Sequence, residues 1–279
     1  MKKKLAILFG LFIILACGGT VPAATPNVDS IVTQTLQALT AAPPVETSQP
    51  EQLTPDGTQV DTAEVTFLIP NGVANDATSV TSTEMELPYI TPGFGDMPSH
   101  IKLTLNLYAI SGTRLEPEIL IFRAIEYAGY SELTGMMMEE LRSLQYVDGQ
   151  PLPEHLESDF SAQVHGVNFQ NGHGVRYLTQ IMTNFMPVNN RDLFYYYMGM
   201  TNDGNYYVQA ILPINTAYLP ADDSPTTPLP ANGIPFNMDD FPGYLDAVAQ
   251  KLNSTDTFDF NPYLDALDEM ISSMQVKGF

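Results

Sequence analysis

Between residues 163 and 213, four runs rich in β-branched and aromatic residues alternate with turn signals. The runs are 163–170, 173–183, 193–201 and 205–213, separated by Asn171-Gly172, by Pro187-Val188-Asn189-Asn190-Arg191 and by Asp203-Gly204. Asn-Gly and Asp-Gly between apolar runs favour tight hairpin turns, whose central residues need the positive φ that glycine and asparagine tolerate. The segment is therefore expected to form a consecutive antiparallel meander. Its third run, Phe194-Tyr195-Tyr196-Tyr197-Met198-Gly199-Met200, is apolar or aromatic at odd and even positions alike. A strand wetted on one face would carry polar residues at every second position, so this one requires cover on both faces.

Helices downstream can supply that cover. One is expected to start near Asp239, with Phe241, Leu245, Val248 and Leu252 on a single stripe. A second is expected at Asn261-Pro262, a capping residue followed by proline in the first turn, with Leu264, Leu267 and Ile271 together. Ser273 to Lys277 can return as a short final strand. Upstream, Ile101, Leu103, Leu105 and Leu107 alternate with Lys102, Thr104 and Asn106, the period-two signature of a strand with one buried face. Residues 118–123 read as its neighbour. Leu133, Met137, Leu141 and Leu144 recur at helical spacing, and the run Met136-Met137-Met138 within them reads as core filler. The fold class is α+β, an antiparallel meander covered by helices.

The amino terminus carries a different signal. Lys2, Lys3 and Lys4 precede an apolar run from Leu5 to Leu15, too short to cross a hydrocarbon core as a helix, which reads as a signal peptide. Then follows Ile14-Leu15-Ala16-Cys17-Gly18, holding the sole cysteine of the 279 residues. It resembles the bacterial lipobox, in which a peptidase cleaves before a cysteine that is then diacylated. The resemblance implies a signal peptide at 1–16 and lipidation, palmitate included, at Cys17. Residues 17–62, rich in Thr, Ala, Pro and Gln, read as a flexible tether that cannot bury enough apolar area to offset chain entropy. Val28, Val32, Leu36 and Leu39 could share one helical face within it. Residues 63–279 are then one globular domain, long enough for a core of its own.

Charge narrows the partners. The chain has 11 Lys and Arg against 32 Asp and Glu, a formal charge of −21. Loss of the leader with its three lysines would leave 8 against 32, or −24. Such a chain repels phosphate, which argues against nucleic acid, and it repels an anionic leaflet. Attachment to a membrane would have to come from lipid, since two acyl chains hold stably where one is marginal.

The stretch Asn171-Gly172-His173-Gly174-Val175-Arg176-Tyr177-Leu178-Thr179-Gln180, with Leu193 to Thr201, Asp203-Gly204 and Tyr206-Tyr207-Val208, resembles a group of uncharacterised bacterial lipoproteins over about residues 99–277. More distantly, the strand order and the helix-then-strand unit from Leu264 to Val276 resemble the PsbP-like α/β/α sandwich. That second resemblance implies a scaffold used mostly by assembly or binding proteins, and it assigns no site.

Motifs for chemistry are sparse. There is no G-x-S-x-G elbow, no S-x-x-K and no H-E-x-x-H among His100, His155, His165 and His173. If Asn171-Gly172 is a two-residue turn, His165 and His173 lie roughly 17 Å apart at about 3.3 Å per residue and cannot share a metal. No metal or other cofactor is expected. The acidic pairs Asp222-Asp223 and Asp239-Asp240 do not fit a calcium loop, and the second reads as a helix cap. Arg176, flanked by apolar residues on an outer strand face, can pair with a carboxylate or anchor a ligand. The proline-rich segment Leu219 to Asn237 is either a stiff crossover or a cover that lines a cleft with Tyr206, Tyr207 and Tyr218. Arg176 and these three tyrosines are the candidate ligand or interaction surface. Two function classes follow. One is a membrane-anchored extracytoplasmic lipoprotein that binds an envelope protein or small ligand without catalysis, marked by an exposed aromatic patch or groove. The alternative is an extracytoplasmic hydrolase, marked by a pocket where two ionisable groups meet, one with a perturbed pKa.

Overall fold

A computed structural model of the chain describes residues 56–83, 97–158, 160–224 and 226–279. The leader, Cys17 and the tether as far as residue 55 lie outside the described residues. The elements in order are β1 (Gly57–Asp61), β2 (Val65–Pro70), β3 (Asp76–Ser82), β4 (His100–Asn106), β5 (Glu118–Arg123), α1 (Ala124–Ala128) and α2 (Glu132–Ser143). A 3-10 turn, Glu154–Leu156, leads to β6 (Ala162–Gly166), β7 (Gly172–Gln180), β8 (Leu193–Thr201), β9 (Tyr206–Pro213) and β10 (Asn215–Thr216). Then come α3 (Phe241–Asn253), a second 3-10 turn at Thr257–Asp259, β11 (Phe260–Asn261), α4 (Leu264–Ser272) and β12 (Gln275–Val276).

Seven strands form one antiparallel sheet in the order β3-β4-β5-β9-β8-β7-β6. The expected meander β6 to β9 is one half, and the β3-β4-β5 half joins it through the β5–β9 pairing. All nine residues of β8 are buried. On one face Tyr195 and Tyr197 pack with Phe67 and Ile69 of β2, with Val248 of α3 and with Leu264, Leu267 and Ile271 of α4. That face is covered by α3, α4 and a three-stranded sheet, β1-β2-β12. On the other face Phe194, Tyr196, Met198 and Met200 meet Phe122, Tyr127 of α1, and Met137, Met138 and Leu141 of α2. Each large apolar side chain buried this way contributes about 1.5–3 kcal/mol, so β8 is the seam that both cores share. The result is α+β, with the central sheet enclosed.

Local signals set the helix ends. Ser131 caps α2 through a reciprocal box with Thr134, which satisfies two otherwise orphaned N–H groups. Asp240 caps α3 by accepting from the Gly243 N–H at 3.1 Å, with Pro242 in the first turn.

Four expectations are corrected. The folded unit includes residues before 63, because β1 pairs with β2 and drives Val60 into the core. Helix α4 starts at Leu264 and not at Asn261-Pro262, since the Asn261 backbone is taken up in β11 against Asn215. Strand β4 ends at Asn106: Leu107 turns to φ +50° and is exposed. In the β6–β7 hairpin Phe169 and Gly172 close the turn by exchanging both backbone hydrogen bonds, so Gln170-Asn171 are its central residues. Glycine is required at 172 for space, because a Cβ there would enter the Phe169 ring. His165 consequently pairs opposite Arg176, three residues from His173, or about 10 Å along the strand.

Arg176 is buried and faces the α4 side. Its Nε and Nη2 donate to Asp268 Oδ1 and Oδ2 at 3.1 and 3.0 Å, and its Nη1 donates to the Gln163 carbonyl. The Tyr195 hydroxyl adds a 2.8 Å bond to Asp268 Oδ1, and burial beside that carboxylate raises the Tyr195 pKa well above its ordinary value. This bidentate pair fixes α4 on the sheet. Removing Asp268 strands the buried Arg176 charge, which costs about 3–5 kcal/mol, whereas an apolar pair of similar volume is tolerated. Asp268→Ala should therefore lower urea-unfolding stability by about 3–5 kcal/mol and the double variant Arg176→Met with Asp268→Leu should recover most of it. A loss of less than about 1 kcal/mol in the single variant would show that the pair is solvated.

Candidate functional site

The proline-rich crossover does line a cleft, but with the β7–β8 connection and not with Tyr206, Tyr207 and Tyr218. A groove of about 550 Å³ lies between Phe185, Met186 and Pro187 on one side and Pro220, Leu229, Ile234 and Phe236 on the other. It continues past Phe185 into a hollow against Phe241 and Met182. The Phe185 and Phe241 rings are 4.8 Å apart, and Phe236 sits edge-on to Tyr244 at 5.2 Å. Phe185 is 64 % exposed and the neighbouring Met238 62 %. Large apolar side chains held in the open at a concave surface mark an interaction site.

A polar network builds the groove from beneath. Asn189, fully buried, donates from Nδ2 to Asp192 Oδ2 at 2.9 Å and to the Pro187 carbonyl at 3.0 Å, while its N–H donates to Gln180 Oε1 at 2.9 Å. Val188 N–H donates to the Tyr244 hydroxyl at 2.9 Å, tying the connection to α3. Asp192 pairs with Arg114 at 2.6 Å, and Asp223 of the crossover pairs with Arg191 at 3.1 Å and Arg114 at 3.5 Å. The two arginines thus clamp the crossover to the meander. At the rim the Thr227 hydroxyl and the Ser224 N–H hold the Asp222 carboxyl below its ordinary pKa, so it stays anionic beside the aromatic rings.

The four residues expected to share a surface do not converge. Arg176 is spent on Asp268. Tyr206 and Tyr207 are adjacent on β9 and point to opposite faces. The Tyr206 hydroxyl accepts from the Phe279 N–H at 3.1 Å, and Tyr207 is buried against Phe122 and Tyr127. Tyr218 bonds Thr255 at 2.7 Å under the Lys251 ammonium. Sequence reasoning missed Phe185 and Phe236, and placed Phe241 only on the covering stripe of its helix. The available signal was the recurrence of aromatic residues beside Pro187, Pro235 and Asp239-Asp240.

A second concavity, of about 530 Å³, lies over the opposite face of the sheet, walled by Met137 of α2, the 3-10 turn and Tyr177, Phe194 and Tyr196. His155, Glu157 and Ser158 also line it. His155 Nδ1 is 2.7 Å from Glu140 Oε1. That hydrogen bond, followed by the charges of Glu140 and Glu154, raises the His155 pKa. The cavity wall therefore carries His155 and Glu157 together with the phenols of Tyr177 and Tyr196, whose pKa values burial raises. It offers no activated nucleophile: the Ser158 hydroxyl donates to the Phe160 carbonyl at 2.5 Å, and none of the hydrogen bonds of His155 reaches it. Each remaining histidine is engaged separately, His165 with Asp148, His173 with the Leu141 carbonyl and His100 with the Pro98 carbonyl. Among the described residues no three His, Cys, Asp or Glu side chains gather as a metal site, and no helix is long and apolar enough to cross a membrane.

Comparison with protein-family models, with curated proteins and with solved structures finds no match to this chain.

Because the His155 pKa is raised on folding, the pair with Glu140 contributes its stability in full below the unfolded histidine value of about 6.5 and loses it as pH rises through the raised value. In Glu140→Gln the His155 ring resonances should titrate at lower pH than in the parent protein. The stability difference between the two proteins should shrink as pH passes the parent midpoint. Equal midpoints by NMR would show that Glu140 does not act on this ring.

Proposed function

We propose that this protein is a non-catalytic binding module, carried on the extracytoplasmic side of a membrane by lipid at Cys17, and that its aromatic groove takes an apolar-anchored, basic polypeptide segment of an envelope partner. The observation that carries the reading is the groove itself, with Phe185 and Phe236 standing open beside Phe241, which caps the edge of the core, under a clamped crossover. Aromatic anchors at the centre of a concave patch dominate binding energy at interfaces, and a charged rim selects the partner. Here the rim carries Asp222, with Asp239 and Asp240 close in sequence, in a chain of net charge −21. A basic segment is attracted and an acidic one repelled. The open mouth and the exposed rings suit a polypeptide better than an enclosed small molecule.

The lipid anchor rests on the leader and the motif around Cys17. A tether of some forty residues between that cysteine and β1 would let the domain work away from the bilayer surface. The hydrolase alternative is favoured by one observation, the perturbed His155 on the cavity wall. It ranks second because the serine there already donates elsewhere.

Two measurements test the proposal. A fluorescein-labelled helical peptide with Leu at i, i+3, i+4 and i+7 and Lys between should bind the full chain, weaken with salt, and lose about tenfold or more in affinity with Phe185→Ser. The same peptide with Glu in place of Lys should fail. Equal binding of both peptides, or no effect of Phe185→Ser, removes the groove from the reading. Separately, labelled palmitate should enter the parent protein and not Cys17→Ser, and the variant should leave the membrane fraction. Label retained in Cys17→Ser would place the lipid elsewhere.

A further inference from the structure

A third cleft, of about 760 Å³, opens where the turn after β2, the β10–β11 pair and the start of α4 meet. Its size lies within the range of about 300–1,000 Å³ that ligand sites occupy. Its lining is unlike that of the other two. Four asparagines, Asn71, Asn190, Asn215 and Asn261, contribute to it, with Asp259 as the sole carboxylate and without any Lys, Arg or His. At its mouth stand Phe258 and Tyr263, 64 % and 53 % exposed, with ring centroids 5.7 Å apart at 73°.

The polar groups divide into a frame and a free set. Asn190 is frame: its Nδ2 donates to the Thr216 and Leu219 carbonyls and its Oδ1 accepts from the Thr216 N–H. Asn71 is frame as well, donating to Asp56 at 2.6 Å. Asn215 and Asn261 are directly paired across β10 and β11, so their side chains start about 4.5–5.5 Å apart on one face of the ribbon. Among the described residues neither amide makes a hydrogen bond within the chain. The buried Thr216 hydroxyl belongs with the frame: it lies against the Tyr218 hydroxyl, which is also joined to Thr255.

From this juxtaposition we infer that the cleft is a binding site for a neutral oligosaccharide. Two side-by-side amides offer four N–H donors and two carbonyl acceptors, which match adjacent hydroxyl or N-acetyl groups, each able to donate and accept. The exposed rings of Phe258 and Tyr263 provide apolar faces for the C–H side of a sugar ring. The absence of a cation from the lining, within a strongly acidic chain, selects against sulfated or phosphorylated glycans. A peptide would be favoured by an apolar anchor pocket. Here Gly72, Ala217 and Ala266 are small, and the large apolar residues Val73 and Phe260 are buried in the core.

The site is independent of the aromatic groove, and so is its test. The full chain in mild detergent is titrated by calorimetry with tetra-N-acetylchitotetraose, maltotetraose and a chondroitin sulfate tetrasaccharide. At least one neutral sugar should bind saturably below about 10 mM, and the sulfated one should not. Phe258→Ala, Tyr263→Ala and Asn215→Ala should each weaken that binding about tenfold or more at unchanged melting temperature. Phe185→Ser should leave it intact. Failure of both neutral sugars, preference for the sulfated one, or binding unchanged in all three cleft variants overturns the inference. Capture of a neutral Gly-Asn peptide at the same residues with neither sugar binding would reassign the cleft to peptide.

Discussion

Burying β8 on both faces is the constraint from which the architecture follows. Nine consecutive residues without contact to water can be accommodated only if two separate layers close over them. The chain provides one layer before the meander, in α1, α2 and the 3-10 turn, and the other from elements far apart in sequence: β1 and β2 at one end, α3, α4 and β12 at the other. The closing of the second layer brings β12 against β2, so the two ends of the folded unit stabilise each other across the full chain.

Enclosing a sheet leaves polar groups that must be satisfied, and they are where shape is specified. Arg176 and Asp268 bridge strand and helix, while Asn189, Gln180 and Asp192 brace a connection that has no ladder of its own. A mutual demand for partners restricts these segments to a single arrangement, since half-made buried networks are worse than none. The groove is a by-product of that demand. The connection that buries Asn189 also carries Phe185, which stays exposed.

Much of the fold was legible because hydrophobic period and turn chemistry are local properties. The strands of the meander, the double-sided burial of Phe194 to Met200, the stripe Val248 and Leu252, and the capping role of Asp240 were all readable from neighbours in sequence. Register was not. Asn171-Gly172 was read as a turn, but the glycine serves the Phe169 ring, a contact that no local rule records. The start of the domain was missed because Gly57–Asp61 has only Val60 turned inward and depends on its pairing to β2. The candidate site was the least legible part. Arg176 stood out as an odd cation among apolar residues, yet its partner Asp268 lies ninety-two residues away, a distance across which composition carries no information. The tyrosines were chosen by type, whereas the residues that meet at the groove are phenylalanines from three separate segments.

The arginine clamp gives the groove walls of unequal stiffness. On the meander side the supports of Asn189 are sealed from solvent, so that wall is rigid. On the crossover side the hold depends on Arg114 and Arg191, whose side chains are 41 % and 38 % exposed where they reach Asp223. Such contacts are screened by ordinary salt within about 8–10 Å. The groove is thus a vice with one fixed jaw and one that ionic surroundings can slacken. The basic segment proposed for the groove would compete for Asp223 and adjust the opening as it enters.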